Sequence, residues 1–189
     1  PAGFVALDAM AKDASVRVAF ASEVEPSRFL VLVDGPLGDV EAALDAGIRA
    51  AGADALESLL LPAAEDALRD ALQGTCAATP TDPDGPLDAL LILQADAILA
   101  TLAAVDRALK TAPLGLLRLR LATHLHGQGH ALFAGALADV EAGAEAAART
   151  DPGTPAVRTR IVARPDPVTW RAAQGGGAMA DAPSLLDAF

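Results

Sequence analysis

Thirteen residues recur in close copy one hundred positions apart. "GPLGDVEAALDAG" from Gly35 and "GALADVEAGAEAA" from Gly135 share the glycine, the leucine, Asp-Val-Glu-Ala, the following acid and Ala46/Ala146. Upstream, "VALDAMAKDA" ending at Ala14 lies beside "AAVDRALKTA" ending at Ala112 at a spacing of 98, so Asp8 pairs with Asp106 and Lys12 with Lys110. Downstream, "LLLPAAEDALRDA" around Pro62 matches "VARPDPVTWRAA" around Pro165 in layout. A chain that repeats one unit must fold as two copies of one architecture, each burying its own apolar face. Lysine occurs only at positions 12 and 110. Lysine is ordinarily a solvated surface charge, but its sole use at matched repeat positions points to a shared role.

Hydrophobic periodicity supplies the elements of each copy. In the second, "DALLILQA" is an apolar run bounded by turn residues and predicts a buried strand. Ile98, Leu102, Val105 and Leu109 then recur at helical spacing in a stretch that stops before Pro113, as a helix should before proline. "LGLLRLRLAT" alternates apolar and basic residues like a half-exposed strand. The loop "HLHGQGH", the strand "ALFAGA", the helix "LADVEAGAEAAART", the strand "AVRTRIVA" and a short helix over 165–173 follow. The order β-α-β-β-α-β predicts an α+β chain of two ferredoxin-like (split βαβ) domains. The first copy reads as helix 3–14, strand 16–22, loop 23–28, strand 29–34, helix 37–51, strand 55–61 and helix 62–72. It has no counterpart of the opening strand before its first helix.

Charge and composition exclude several function classes. With 14 basic against 25 acidic side chains, a net of −11, most of the surface would repel a nucleic-acid backbone. No apolar run approaches the ~20 residues of a membrane span, and the start lacks the basic-then-apolar pattern of a secretory signal. A cytosolic protein without nucleic-acid or membrane partners is expected. The single cysteine, Cys76, permits no internal disulfide and no cysteine-built metal site; it reads as a linker thiol. No phosphate-binding glycine loop, G-x-S-x-G or HExxH is present. Glu65 with Asp66, and Asp82 with Asp84, read as solvated charge. His124 and His126 point the same way from a strand end, yet neither they nor His130 have a nearby acid or cysteine to complete a metal set. No enzyme activity, cofactor or resident metal is expected, although three His126 side chains on a threefold axis could take up an adventitious ion.

The twofold succession of "DAxxK" and "G-x-L-x-DVEAA", with the strands and loops between them, resembles bacterial microcompartment shell proteins. The tandem-domain type is the closest in layout, in which two fused shell domains trimerise into a pseudohexameric tile. The resemblance implies a homotrimer and a structural shell role in the cytoplasm. Its partners would be other shell proteins, hexameric and pentameric tiles, at the tile edges, with encapsulated enzymes as further candidates. Lys12 and Lys110 match the family's edge lysine. Arg164 in "ARPDP" matches the edge arginine that enters a pocket on the adjoining tile, and the first copy has Leu61 in its place. The loops between the second and third strands match the pore lining: Glu25, Pro26, Ser27 and Arg28 in one copy, His126, Gly127 and Gln128 in the other. A ring of such groups would favour small polar or charged metabolites. Some tandem shell proteins hold an iron–sulfur cluster on pore-loop cysteines, and neither loop here has one. An alternative of another class is a ferredoxin-like small-molecule-binding or sensor protein.

The last residues bear on the missing strand. With Phe189 set before Pro1, "SLLDAFPAGFVALDAM" aligns without a gap against "LQADAILATLAAVDRA". The chain thus reads as a circular permutant, engineered, with its former ends joined by "QGGGA", a flexible tether; the alternative is a free C-terminal tail or a short cargo-docking helix over 183–189. The expected organisation is a first domain over 1–74, a linker over 75–86 and a second domain over 87–173. A Gly-rich linker and former N-terminus occupy 174–182, and 183–189 is the relocated first strand of the first domain.

Overall fold

The computed structural model describes residues 2–74, 76, 88–121, 127–149 and 154–174. Its contacts divide the chain into two compact units, 1–63 and 64–189.

Unit 1 holds α1 (Ala2–Asp13), β1 (Arg17–Val24), β2 (Arg28–Asp34) and α2 (Leu37–Ala51), followed by a short 3-10 turn over Gly52–Asp54. β1 and β2 form an antiparallel hairpin running from Arg17↔Asp34 to Val24↔Arg28. The strand expected over 55–61 is absent: these residues are non-repetitive backbone. The reason lies in hydrogen-bond partners, since a strand exists only in a ladder. Its equivalent in unit 2 pairs with a central strand, and among the described residues of unit 1 no counterpart of that central strand occurs.

Unit 2 begins with α3 (Asp66–Leu72) and continues with β3 (Ala89–Ala95), α4 (Ile98–Thr111), β4 (Gly115–Leu121), β5 (Gly129–Gly135), α5 (Leu137–Ala148), β6 (Val157–Ala163) and α6 (Pro167–Ala173). The four strands form one sheet in the order β4-β5-β3-β6, antiparallel at every pairing. The expected βαββαβ domain is therefore present in full, its opening strand in the middle. By its contacts, α3, which the repeat assigns to the first domain, lies with unit 2 against β4 and α4.

Alternation decides what each face buries. Leu91 and Leu93 of β3, Leu116 of β4 and Phe133 of β5 are wholly buried. On the opposite face Leu90, Ile92, Leu132 and Ala134 pack with Leu117, Val162, Trp170 and Ala173, so α6 closes it. Arg118 explains why a basic residue sits in an apolar strand: a register shift between Leu116 and Arg118 sets it opposite Leu132 on the α6 face. There its guanidinium donates to the carbonyls of Ala172 and Ala173, each at 3.1 Å, neutralising the partial negative charge of the α6 C-terminus.

The two copies solve the same packing problem with the bulk exchanged. In unit 1 a Cβ on Gly3 would come within 2.2 Å of Phe29. In unit 2 the equivalents are Thr101 on the helix and Gly129 on the strand, and a Cβ on Gly129 would come within 2.1 Å of Thr101. Likewise Gly47 of α2 lies under Met10 of α1, where unit 2 has Ala147 and Ala108. At the first contact the larger side chain is on the strand in one copy and on the helix in the other; at the second, a methionine over a glycine in unit 1 is replaced by two alanines in unit 2.

No described helix is long and apolar enough to cross a membrane.

Candidate functional site

Each lysine closes the last turn of its helix, Lys12 in α1 and Lys110 in α4, where a cation complements the helix dipole. Each reaches the carboxylate one turn before it at 2.6 Å, Lys12 to Asp8 and Lys110 to Asp106. This i,i+4 pairing holds the ammonium along the helix. The surroundings of the two pairs differ sharply. Asp8 and Lys12 are 63% and 74% exposed, whereas Asp106 and Lys110 are 5% and 35% exposed. Asp106 is buried because the segment leading into α3 lies over it, and Glu65 N–H donates to Asp106 Oδ1 at 3.2 Å. By its sequence pattern Glu65 is expected to be solvated charge, and Asp106 carries no expected role beyond matching Asp8 in the repeat. The available signal was an acid four residues before each lysine.

Arg164 sits between β6 and α6 in left-handed backbone, φ 47°, with its N–H on Asp88 O at 2.7 Å. The first-copy residue with the same geometry is Ala63, φ 48°, and not Leu61, which alignment on the two prolines suggested. Both left-handed residues stand two positions before a helix N-cap, Glu65 for α3 and Asp166 for α6. The backbone turn therefore sets the repeat register here at a spacing of 101. An arginine is still present in only one copy.

Of the loop residues, Glu25, Pro26 and Ser27 form the β1–β2 turn and Arg28 opens β2. Ser27 takes φ 52°, and Arg28 reaches Glu57 at 3.4 Å. In unit 2 Gly127 is left-handed at φ 82°, a conformation glycine adopts without penalty. Gln128 is held at both ends of its amide: it accepts from Gln94 at 3.0 Å and donates to Asp96 at 3.2 Å. Asp96 also accepts from Arg158 at 2.7 Å. His124 and His126 lie outside the described residues. So do residues 175–189, on which the tether and the relocated strand rest.

His130 stands in β5 opposite Arg120. Burial, with the Arg118 and Arg120 charges beside it, holds its imidazole below the usual pKa of 6.5. That environment disfavours a cation, and the described residues contain no group of three or more side chains able to hold a metal. Half-buried Cys76 has its thiol pKa pushed up by burial, against the opposing pull of the Leu119 amide and of Arg118.

Residues 1–64 match the family model described as BMC domain. The chain is 28% identical over 171 residues to the bacterial microcompartment shell protein PduT of Citrobacter freundii, covering 89% of each chain. It is 45% identical over 51 residues to the carboxysome shell protein CcmK3 of Halothece sp. (strain PCC 7418), covering 27% of this chain and 50% of that one. Among solved structures, a microcompartment protein from Desulfitobacterium hafniense DCB superposes with a TM-score of 0.76 at 26% identity, over 90% of this chain and 92% of that one. The fused permuted hexameric shell protein MSM0275 from the RMM microcompartment shares the fold, with a TM-score of 0.54 at 23% identity over 75% and 71% of the two chains.

Proposed function

From the premise that this chain is a tandem-domain bacterial microcompartment shell protein, we propose that three copies close into a pseudohexameric tile of such a shell, in the cytoplasm. The tile is structural and non-catalytic, and it meets hexameric and pentameric tiles along its edges. The single observation that carries the edge assignment is the duplicated Asp–Lys pair, the only lysines of the chain, at matched last turns of α1 and α4. A lysine so placed lays its stem along a seam while its ammonium reaches carbonyls across it.

The turns around Glu25–Arg28 and His126–Gln128 alternate about the threefold axis in this reading. Such a ring carries charges, hydroxyls and amides and no apolar plug, and passes small polar or charged metabolites. In the same reading, residues 183–189 are the relocated opening strand of the first domain.

The test is electron microscopy of the protein co-expressed with a hexameric shell tile. The parent should enter sheets or closed shells, and Lys12→Ala combined with Lys110→Ala should leave trimers that no longer tile. Tiling by the double variant at the parent's level overturns the edge assignment. Ligand-dependent thermal stabilisation of a parent that never tiles would favour a small-molecule sensor.

A further inference from the structure

We propose that unit 2 binds a small tetrahedral oxyanion, phosphate or the phosphate group of a phosphorylated metabolite, on the sheet face beside α6, where Arg120 and His130 hold it and Arg118 flanks them. Strand register places these groups. Arg120 of β4 stands opposite His130 of β5, His130 opposite Gln94 of β3, and Gln94 opposite Arg158 of β6, one row across all four strands. The next row on the same face is Arg118, Leu132, Ile92 and Arg160. Directly opposite residues have Cβ atoms about 4.5–5.5 Å apart. Two rows therefore set four arginines and a histidine on one face of a chain whose net charge is −11. α6 covers the far part of this face, where Leu90, Leu132 and Ala134 meet Trp170 and Ala173, and the row of His130 lies outside that cluster.

The charges on this face are unequally matched. Arg118 donates to the α6 C-terminal carbonyls, Arg158 pairs with Asp96 at 2.7 Å, and Arg160 donates to Thr159 O at 2.8 Å. The one carboxylate at hand, Asp96, also accepts from Gln128. Arg120 and His130 make no side-chain hydrogen bond or ion pair among the described residues. Burial and the charges of Arg118 and Arg120 keep the imidazole neutral at pH 7. Like charges side by side on a sheet destabilise it, and the fold does not require them. At the equivalent positions unit 1 has Ser22 opposite Leu30 and Phe20 opposite Leu32. A dianion over Arg120 and His130 removes the repulsion. The guanidinium fork offers it two N–H donors and the imidazole one. Four tetrahedral oxygens suit donors that rise from separate strands, whereas a carboxylate suits donors in one plane. The anion also favours the imidazolium, so binding draws a proton onto His130. The site is built on the strands of one chain, apart from the turns assigned to the threefold axis, and does not depend on assembly.

The experiment is calorimetric titration of the full chain with sulfate at constant ionic strength, between about pH 8 and pH 5.5, the span over which a histidine titrates. Sulfate has the tetrahedral shape and stays dianionic throughout, so any pH dependence belongs to the protein. One site per chain is expected, tightening as the pH falls and His130 gains its proton. Arg120→Gln should weaken binding roughly ten- to a hundred-fold, the range for a hydrogen bond to a charged group, and His130→Gln should remove the pH dependence. Arg17→Gln, which removes an exposed arginine of unit 1, should change neither. Arg120 has no partner to lose among the described residues, so Arg120→Gln should melt at or above the parent's temperature. Competition by glycerol phosphate shows that the site takes a metabolite's phosphate group, and competition by inorganic phosphate alone confines it to the free ion. A folded parent that binds none of the three anions, or an Arg120→Gln variant that binds as the parent does, overturns the site. So does a pH dependence that survives in His130→Gln, which would belong to His124 or His126.

Discussion

Replacing Gly129 by alanine puts a methyl group 2.1 Å from Thr101 Oγ1, 2.6 Å from its Cβ and 2.7 Å from its Cγ2. The first of these falls 1.3 Å short of the 3.4 Å at which ordinary contact starts. Thr101 cannot turn aside. It is fully buried, β-branched and so confined at χ1, and its hydroxyl donates to Ala97 O at 2.9 Å. Relief must come from moving α4 off the sheet, against a packed core. Overpacking of this kind costs about 1–3 kcal/mol, whereas an unobstructed Gly→Ala in a strand would gain about 0.5–1 kcal/mol. Net destabilisation of about 1–2 kcal/mol is expected as a lower denaturant midpoint with unchanged slope. Thr101→Gly in the same chain should recover part of the loss, apart from about 1 kcal/mol for glycine inside a helix. A double-mutant cycle should then show coupling of about 1 kcal/mol or more. The further exchange Thr101→Gly with Gly129→Phe installs in unit 2 the pairing that Gly3 and Phe29 make in unit 1. If Gly129→Ala matched or exceeded the parent in stability, the close approach of α4 to β5, and the exchange of bulk between the copies, would be refuted.

Further outcomes follow from the polar groups. His130 has its folded pKa depressed, so the unfolded chain binds more protons between the two values; stability should hold above pH 6.5 and decline as pH falls below it. His130→Gln should remove that slope in pH-dependent thermal melts, and Arg118→Leu should shrink it while costing about 1–2 kcal/mol for the two lost α6 caps. Cys76 should react with iodoacetamide more slowly at pH 8 than an unfolded cysteine, because burial disfavours its thiolate; equal rates in native and denatured protein would contradict this. Asp106→Ala should destabilise unit 2 by about 2–3 kcal/mol through loss of two charge-assisted bonds. The equivalent Asp8→Ala, measured at concentrations where copies are apart, should change stability by at most about 1 kcal/mol.

The amino-acid sequence alone determined the duplication, the βαββαβ order and the place of both lysines, because these rest on periodicity and on spacing along one chain. α1, α2, α4 and α5 stand within a residue or two of their expected bounds, since apolar residues at helical spacing and the prolines and glycines at their ends act locally. What depends on partners distant in the chain was decided only by the tertiary structure. Residues 55–61 carry a strand-like pattern, yet without a ladder partner among the described residues they are not a strand, while β6 becomes one against β3. The register of the turn before α6 follows from the left-handed backbone that Ala63 shares with Arg164, and an alignment on prolines missed it. Asp8 and Asp106 are indistinguishable in sequence. One is a solvated ion pair and the other a buried node, because only Asp106 has the α3 lead-in packed across it, and burial sets the strength of a carboxylate's bonds.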